Sequence, residues 1–130
     1  MPRISHWYFA VSVLYAIIGM LVGMYMGGSM DVRLAPAHAH WNLLGWVGNS
    51  IYGVFYALAI AKVPKRLPAI TFALHNLGVL VMIPFLALLL THANDETYVP
   101  GIVAGEILVV SGMISFAIAV WIALMRTPKT

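Results

Sequence analysis

The sequence predicts an all-α protein in which four transmembrane helices pack as one antiparallel bundle with both termini in the cytoplasm. Of the 130 residues, 62% are hydrophobic and 8% are charged, a composition far outside the range of a soluble globular domain. Four apolar segments are each long enough to cross a hydrocarbon core of about 30 Å, at a rise of about 1.5 Å per residue. These segments cover residues 5–27, 38–61, 68–91 and 100–124, so we expect a single four-helix domain over residues 1–130.

The distribution of charge predicts how the helices are oriented. One side of the predicted membrane carries Arg3, Lys62, Lys65, Arg66, Arg126 and Lys129. The other side carries Asp31, Arg33, Asp95 and Glu96. The positive-inside rule places the basic side in the cytoplasm, which predicts a multi-pass protein of the bacterial inner membrane in contact with lipid. This topology accounts for the excess of positive charge, so we expect no nucleic-acid partner. The absence of cysteine excludes disulfides, thiolate metal sites and thiol catalysis.

The first segment follows Arg3 as a signal peptide would, but it is too long for one and lacks a small-residue cleavage site, so we expect a retained helix. Small residues recur along the first and fourth segments, at Gly19, Gly23 and Gly27 and at Gly101, Gly105, Gly112 and Ser115. Such spacing lets a neighbouring backbone approach closely. These small-residue faces predict tight helix packing and favour a homo-oligomer.

The second segment carries a polar and small stripe through apolar sequence. If Pro36 is its first helical residue, one helix face holds His38, Asn42, Gly45, Asn49, Tyr52 and Tyr56. Hydrocarbon would leave the donors of this stripe unpaired, so the stripe must face protein or a cofactor. His40 lies about 200° around the helix from His38 and is expected to point elsewhere.

Other ionisable residues fall inside the predicted spans. Glu106 lies about 9 Å into the fourth helix, and helical rise places it in the outer third of the membrane with His38, His40 and His92. His75 lies in the inner half, about 20 Å from His38, so these two histidines cannot hold one haem between straight helices. A buried imidazole or carboxyl group there needs a partner or a metal.

The residues alone leave three interpretations open. A haem b held by two histidines would use a flat slot lined by Trp41, Gly45, Trp46, Gly48 and Tyr52. A copper site would bring together His38, His40, His92, Glu106 and the methionines at 20, 24, 26 and 30. In the third interpretation the protein is a cofactor-free assembly subunit whose polar stripe mediates helix packing.

The second segment also resembles a known family. Arg33, Leu34, Pro36, His38, Gly48 and Asn49 are similar to the second transmembrane helix of the catalytic subunit of haem-copper oxidases, especially the C-family oxidases and nitric oxide reductases. A looser similarity occurs in LHNLG of the third segment. The resemblance implies that His38 is an axial ligand of a low-spin haem b. The chain is too short for the full helix set of that family and lacks the helices that supply the opposite haem ligand and the copper site. It therefore cannot be a complete oxidase or reductase.

The leading prediction is a small b-type haem protein that acts in electron transfer, in haem or gas sensing, or in support of respiratory oxidases through a respiratory-chain partner. The predicted cofactor-binding residues are His38, His92, Asn42, Gly45, Asn49 and Tyr52. His38 and His92 are the predicted metal ligands, and His40, His75 and Glu106 are further candidates. The second axial position belongs to His92, to a histidine of another protomer, or to no residue at all.

Overall fold

The structure is a computed structural model that describes residues 1–128; Lys129, one of the residues used to predict the orientation, lies outside them. Residues 1–128 are helical and contain no β-strand. Four helices are each long and apolar enough to cross a membrane: α1 (Arg3–Ser29), α2 (Ala35–Lys62), α3 (Leu67–Thr91) and α4 (Glu96–Met125). The prediction of an all-α chain with four long apolar helices is confirmed, and each helix is slightly longer than predicted.

Helix α2 changes its winding along its length. An α-helical segment, Ala35–His40, is followed by a π-helical segment, Trp41–Gly48, then by α-helix over Asn49–Ala59 and a final 3₁₀ turn, Ile60–Lys62. A π-helical segment bonds each carbonyl one residue further along the chain than an α-helix does, and such segments often occur at functional sites. The widened turns change which carbonyl groups can accept hydrogen bonds from other helices.

Helices α1 and α2 form one closely packed antiparallel pair. A Cβ atom placed on Gly45 of α2 would lie 2.6 Å from the ring of Tyr15 on α1. Conversely, the side chain of Asn42 on α2 packs against Gly19 of α1. The glycines therefore act as sockets for larger side chains of the partner helix. Gly27, predicted to belong to the same packing face, has no neighbour within 4 Å of such an added Cβ.

Helices α3 and α4 form the second pair, and here the two backbones touch. A Cβ atom on Gly78 would lie 2.6 Å from the backbone nitrogen of Val109, and one on Gly112 would lie 2.9 Å from the backbone nitrogen of His75. Gly105 packs directly on the backbone of Met82. In lipid, helices associate mainly through van der Waals contact. Small residues at the interface increase this contact because they let the two backbones approach closely.

Aromatic side chains join the two pairs. The ring of Tyr52 on α2 lies 4.4 Å from that of Phe116 on α4, and the ring of Tyr8 on α1 lies 5.0 Å from that of Phe72 on α3. The hydroxyl group of Tyr8 also donates to the carbonyl of Pro68 at 2.9 Å. These buried rings form a core at the end of the bundle where the chain begins.

The two ends of the bundle differ in charge. The basic end holds Arg3, Lys62, Lys65, Arg66 and Arg126, with no carboxylate among the described residues there. The histidine end holds His38, His40 and His92 together with Asp31, Arg33, Asp95 and Glu96. A hydrogen bond from the guanidinium group of Arg33 lowers the pKa of the Asp31 carboxyl group to about 2. This exposed pair closes the α1–α2 loop.

The backbone contact between α3 and α4 can be tested with matched Gly→Ala changes. Gly105→Ala places a methyl group into the Met82 backbone, and overpacking of this kind lowers the free energy of unfolding by about 1–3 kcal/mol. Gly27→Ala adds the same methyl group in open space and should leave stability unchanged or slightly raised. Unfolding in mixed micelles of increasing SDS fraction measures both. Equal stability of the two variants would contradict close backbone packing.

Candidate functional site

The imidazole ring of His38 lies between α1 and α2 at the histidine end. A Cβ atom on Gly23 of α1 would lie 3.2 Å from Cε1 and 3.6 Å from Nε2 of His38, so the imidazole packs closely against this glycine. The side-chain amide nitrogen of Asn42 lies 3.3 Å from each ring nitrogen and donates to the backbone carbonyl of His38 at 3.1 Å. Asn42 thus fixes the half-buried imidazole from the next turn of α2.

An apolar cavity of about 180 Å³ adjoins this ring between α1, α2 and α3. Its lining residues are Ile18, Gly19, Val22, Leu34, Ala37, His38, Trp41, Ile83, Pro84 and Ala87. Only His38 and Trp41 bring polar side-chain atoms to it, and the indole N–H of Trp41 donates to the carbonyl of Tyr15 at 2.8 Å. The imidazole of His38 is therefore the polar group that remains to bind a ligand in the cavity.

The size of the cavity limits what it could enclose. Pockets that enclose a drug-sized ligand measure roughly 300–1,000 Å³, which is more than this cavity holds. A planar cofactor held by His38 would be only partly enclosed by this cavity. The donor type and the apolar walls fit a haem, whereas complete enclosure does not.

The structure places Gly45 and Tyr52, two of the predicted slot residues, in contacts between helices. Gly45 receives the ring of Tyr15. Tyr52 donates its hydroxyl hydrogen to the sulfur of Met113 at 3.6 Å and meets the ring of His75 edge to face at 4.9 Å. A flat group lying along this part of α2 would have to displace the Tyr15 ring. The slot predicted at Gly45 and Tyr52 is thus filled by the chain itself.

His92 lies at the histidine end but does not line the His38 cavity. It is exposed, and its Nδ1 atom lies 3.1 Å from the carbonyl of Leu88 and 3.0 Å from the hydroxyl group of Thr91. Its ring also meets that of Tyr98 at 5.8 Å. His92 is therefore held against the end of its own helix.

The remaining outer candidates do not converge. His40 and Glu106 are exposed on different helices. Within residues 1–128, no group of three or more His, Asp or Glu side chains is arranged to hold a metal ion. Met20, Met24 and Met30 are also exposed, with 60–84% of their surface accessible, so the thioethers do not join the histidines in one soft-ligand site.

His75 lies in the core and not at the histidine end. Its Nε2 atom lies 2.9 Å from the carbonyl of Leu44, and because a carbonyl only accepts, Nε2 carries the hydrogen. Leu44 belongs to the π-helical segment of α2. The other ring nitrogen, Nδ1, has no hydrogen-bond partner among residues 1–128, and Gly48 leaves space for the ring. The expected partner of this imidazole is thus a backbone carbonyl of α2.

A reciprocal amide pair joins α2 to α3 beside His75. Asn49 and Asn76 each donate to the side-chain oxygen of the other at 3.0 Å. Their second N–H groups donate to the carbonyls of Gly45 at 2.7 Å and Phe72 at 2.9 Å. The sequence predicts Asn49 as a cofactor-binding residue and gives no direct sign of its pairing with Asn76. The available signal for this pairing was depth, because helical rise in the antiparallel helices α2 and α3 allows the depths of Asn49 and Asn76 to be compared.

A second buried polar chain links three helices nearer the basic end. The hydroxyl group of Tyr56 lies 2.9 Å from that of Thr71, which lies 2.8 Å from that of Ser115. These two hydrogen bonds join α2, α3 and α4 in the buried interior. The interior of the bundle therefore carries polar contacts that fix helix positions, while the groups able to take a ligand lie at the histidine end.

Comparison of the chain with models of known protein families, with curated proteins and with solved structures found no match. The similarity of the second helix to haem-copper oxidases accordingly stays a prediction carried by a few residues. The features that bear on function are the His38 cavity and the groups around it.

The amide pair predicts a characteristic double-mutant cycle. Asn76→Leu removes one partner and leaves the buried Asn49 amide unsatisfied, which should lower the free energy of unfolding by about 1–3 kcal/mol. The double change Asn49→Leu with Asn76→Leu removes both polar groups and should be far less harmful than the sum of the single changes. Unfolding of the four proteins in SDS mixed micelles gives the coupling energy. Additive effects would rule out a direct pair.

Proposed function

We propose that the protein is a multi-pass protein of the bacterial inner membrane with both termini in the cytoplasm. Four helices of sufficient length and hydropathy support this proposal, as does the large number of exposed apolar side chains on their outer faces. The basic end, without a carboxylate among the described residues, would face the cytoplasm under the positive-inside rule. The histidine end would then face the periplasm.

We further propose that the protein binds haem b, with His38 as an axial ligand. The observation that carries this proposal is the His38 imidazole, which is the available polar group beside an otherwise apolar cavity. Neutral imidazole is a common axial ligand of haem iron, and helix bundles often build such sites between facing helices. Asn42 would orient the ring, and Gly23 leaves space for the ring against α1.

The second axial position decides what the protein does. Bound haem would supply a one-electron couple, or an open position for a small gas molecule if the iron has a single protein ligand. We propose His92 as the second ligand because it is an exposed imidazole at the same end. Its ring would have to leave the carbonyl of Leu88 to reach a haem on His38. With both histidines bound, the function would be electron transfer to a respiratory-chain partner.

A second candidate function is a cofactor-free subunit that supports assembly of a respiratory complex. The filled slot at Gly45 and the internally satisfied amide pair of Asn49 and Asn76 favour this candidate. In it, the polar stripe of α2 would serve helix packing alone. Copper binding, the remaining alternative, would be detected by elemental analysis of the same sample.

Haem binding by His38 predicts the effect of two neighbouring changes. Protein purified from cells supplied with haem should show a b-type absorption spectrum, and His38→Ala should lower the haem-to-protein ratio at least twofold. His40→Ala is the matched control, because this exposed ring lies on the same helix and does not line the cavity. The pyridine haemochrome assay measures both variants. Haem retention that is equal in His38→Ala and the parent would exclude His38 as the ligand.

The assignment of His92 predicts a change of spin state. His92→Ala removes the proposed sixth ligand and should convert a low-spin spectrum into a mixed or high-spin one, with the haem content largely kept. Absorption and electron paramagnetic resonance spectra of the oxidised protein distinguish these states. An unaltered low-spin spectrum would show that the second axial ligand is another histidine or is supplied by another protomer.

A further inference from the structure

Glu106 is a carboxyl group on the outer surface of a membrane-length helix. It lies in α4, where its exposed neighbours Val103, Ile107 and Val110 are all apolar. No hydrogen bond to the Glu106 side chain occurs within residues 1–128, whereas Asp31 is bound by Arg33 and Asp95 by Thr97. A carboxyl group facing hydrocarbon is costly and nearly always has a polar partner.

His40 presents the complementary group. Its Nδ1 atom lies 2.8 Å from the carbonyl of Pro36, and because a carbonyl only accepts, Nδ1 carries the hydrogen. In the neutral ring the exposed Nε2 atom then holds a free lone pair. A protonated carboxyl group donates to such a nitrogen, and an ionised one pairs with the imidazolium form. Either proton position gives one hydrogen bond between His40 and a glutamate.

The two groups lie at similar depths in the bundle. His38 shares its cavity with residues 83–87 of α3, and the same stretch packs on Gly101 of α4. His38 and Gly101 therefore lie at a common level. At about 1.5 Å per residue, Glu106 lies about 7 Å further into the bundle than Gly101, and His40 lies about 3 Å further in than His38. The difference of about 4 Å is within the reach of the two side chains.

The two groups also border the same side of the protein. On α2 an exposed stripe runs through His40, Leu43, Val47, Ile51, Val54 and Leu58. The last three of these line a groove together with Phe116 of α4. On α4, Glu106 lies almost two full turns from Met113, hence on the same helix face, and Met113 accepts a hydrogen bond from Tyr52 of α2. Both groups thus border the surface where α2 and α4 adjoin, here named the α2/α4 face.

We propose that a second copy of this chain packs on the α2/α4 face, with His40 of each copy hydrogen-bonded to Glu106 of the other. A two-fold axis along the membrane normal brings groups of similar depth together and makes every contact twice. A second copy is favoured over an unrelated protein because one face carries both halves of the hydrogen bond. The proposal rests on insertion in a membrane but does not depend on haem.

Cross-linking between two differently tagged copies tests the proposal. The chain has no cysteine, so His40→Cys in one copy and Glu106→Cys in the other supply the only thiols after co-expression. A short bismaleimide should join them into a product that carries both tags. Leu21→Cys paired with Glu106→Cys is the control, because Leu21 is exposed on α1 at a similar depth and should give no such product.

Substitution of Glu106 tests the hydrogen bond itself. Glu106→Leu should weaken dimerisation in lipid nanodiscs or mild detergent at least about tenfold, since two intramembrane hydrogen bonds are lost. Glu106→Gln keeps a donor for Nε2 of His40 and should retain most of the dimer. An α-helical circular dichroism spectrum checks that each variant is folded. Native mass spectrometry measures the monomer and dimer fractions.

Three results would overturn the proposal: a monomeric parent protein, Glu106→Leu dimers as stable as the parent, or cross-links equal to those of the Leu21 control. Failure of membrane insertion would be recognised separately, because the parent protein would then be found in the soluble fraction. Loss of haem in His38→Ala does not change any of these expectations. The dimer and the haem proposal therefore fail independently.

Discussion

Contact between α2 and α3 through buried polar groups is the interaction on which the rest of the structure depends. Asn49 and Asn76 each donate one hydrogen bond to the other, and His75 donates to the Leu44 carbonyl beside them. Because unpaired polar groups are very unfavourable in an apolar interior, these contacts permit few relative positions of the two helices. They connect the α1–α2 pair to the α3–α4 pair, each of which is held by glycine sockets and direct backbone contact.

The π-helical segment of α2 belongs to this arrangement. Two side chains from other helices donate to carbonyls within it, Ser12 to Trp46 at 3.0 Å and His75 to Leu44, and Asn49 of α2 itself donates to Gly45. A uniform α-helix would direct these carbonyls along its axis toward its own N–H groups. The irregular winding thus gives α2 acceptors that the neighbouring helices use, and it separates the two histidines before it from the packed helix after it.

The proposed haem and dimer sites both lie at the periphery of the histidine end. The interior beside Gly45 and Gly48 is filled by the rings of Tyr15 and His75. His38 faces a small apolar cavity, and His40 and Glu106 face outward. The proposed ligand and the proposed second copy would therefore meet the bundle from its side.

The sequence by itself determined the four long apolar helices and the charge asymmetry of their connections, because hydropathy and the positions of Lys and Arg are properties of consecutive residues. It also identified the His38–Tyr56 stripe as the polar side of α2. Only the tertiary structure decided what that stripe contacts. Whether Gly45 accepts a cofactor or the Tyr15 ring, and whether Asn49 meets Asn76, depends on the rotation and depth of each helix relative to its neighbours. Those quantities are set by side-chain packing between helices and cannot be obtained from the periodicity of one segment.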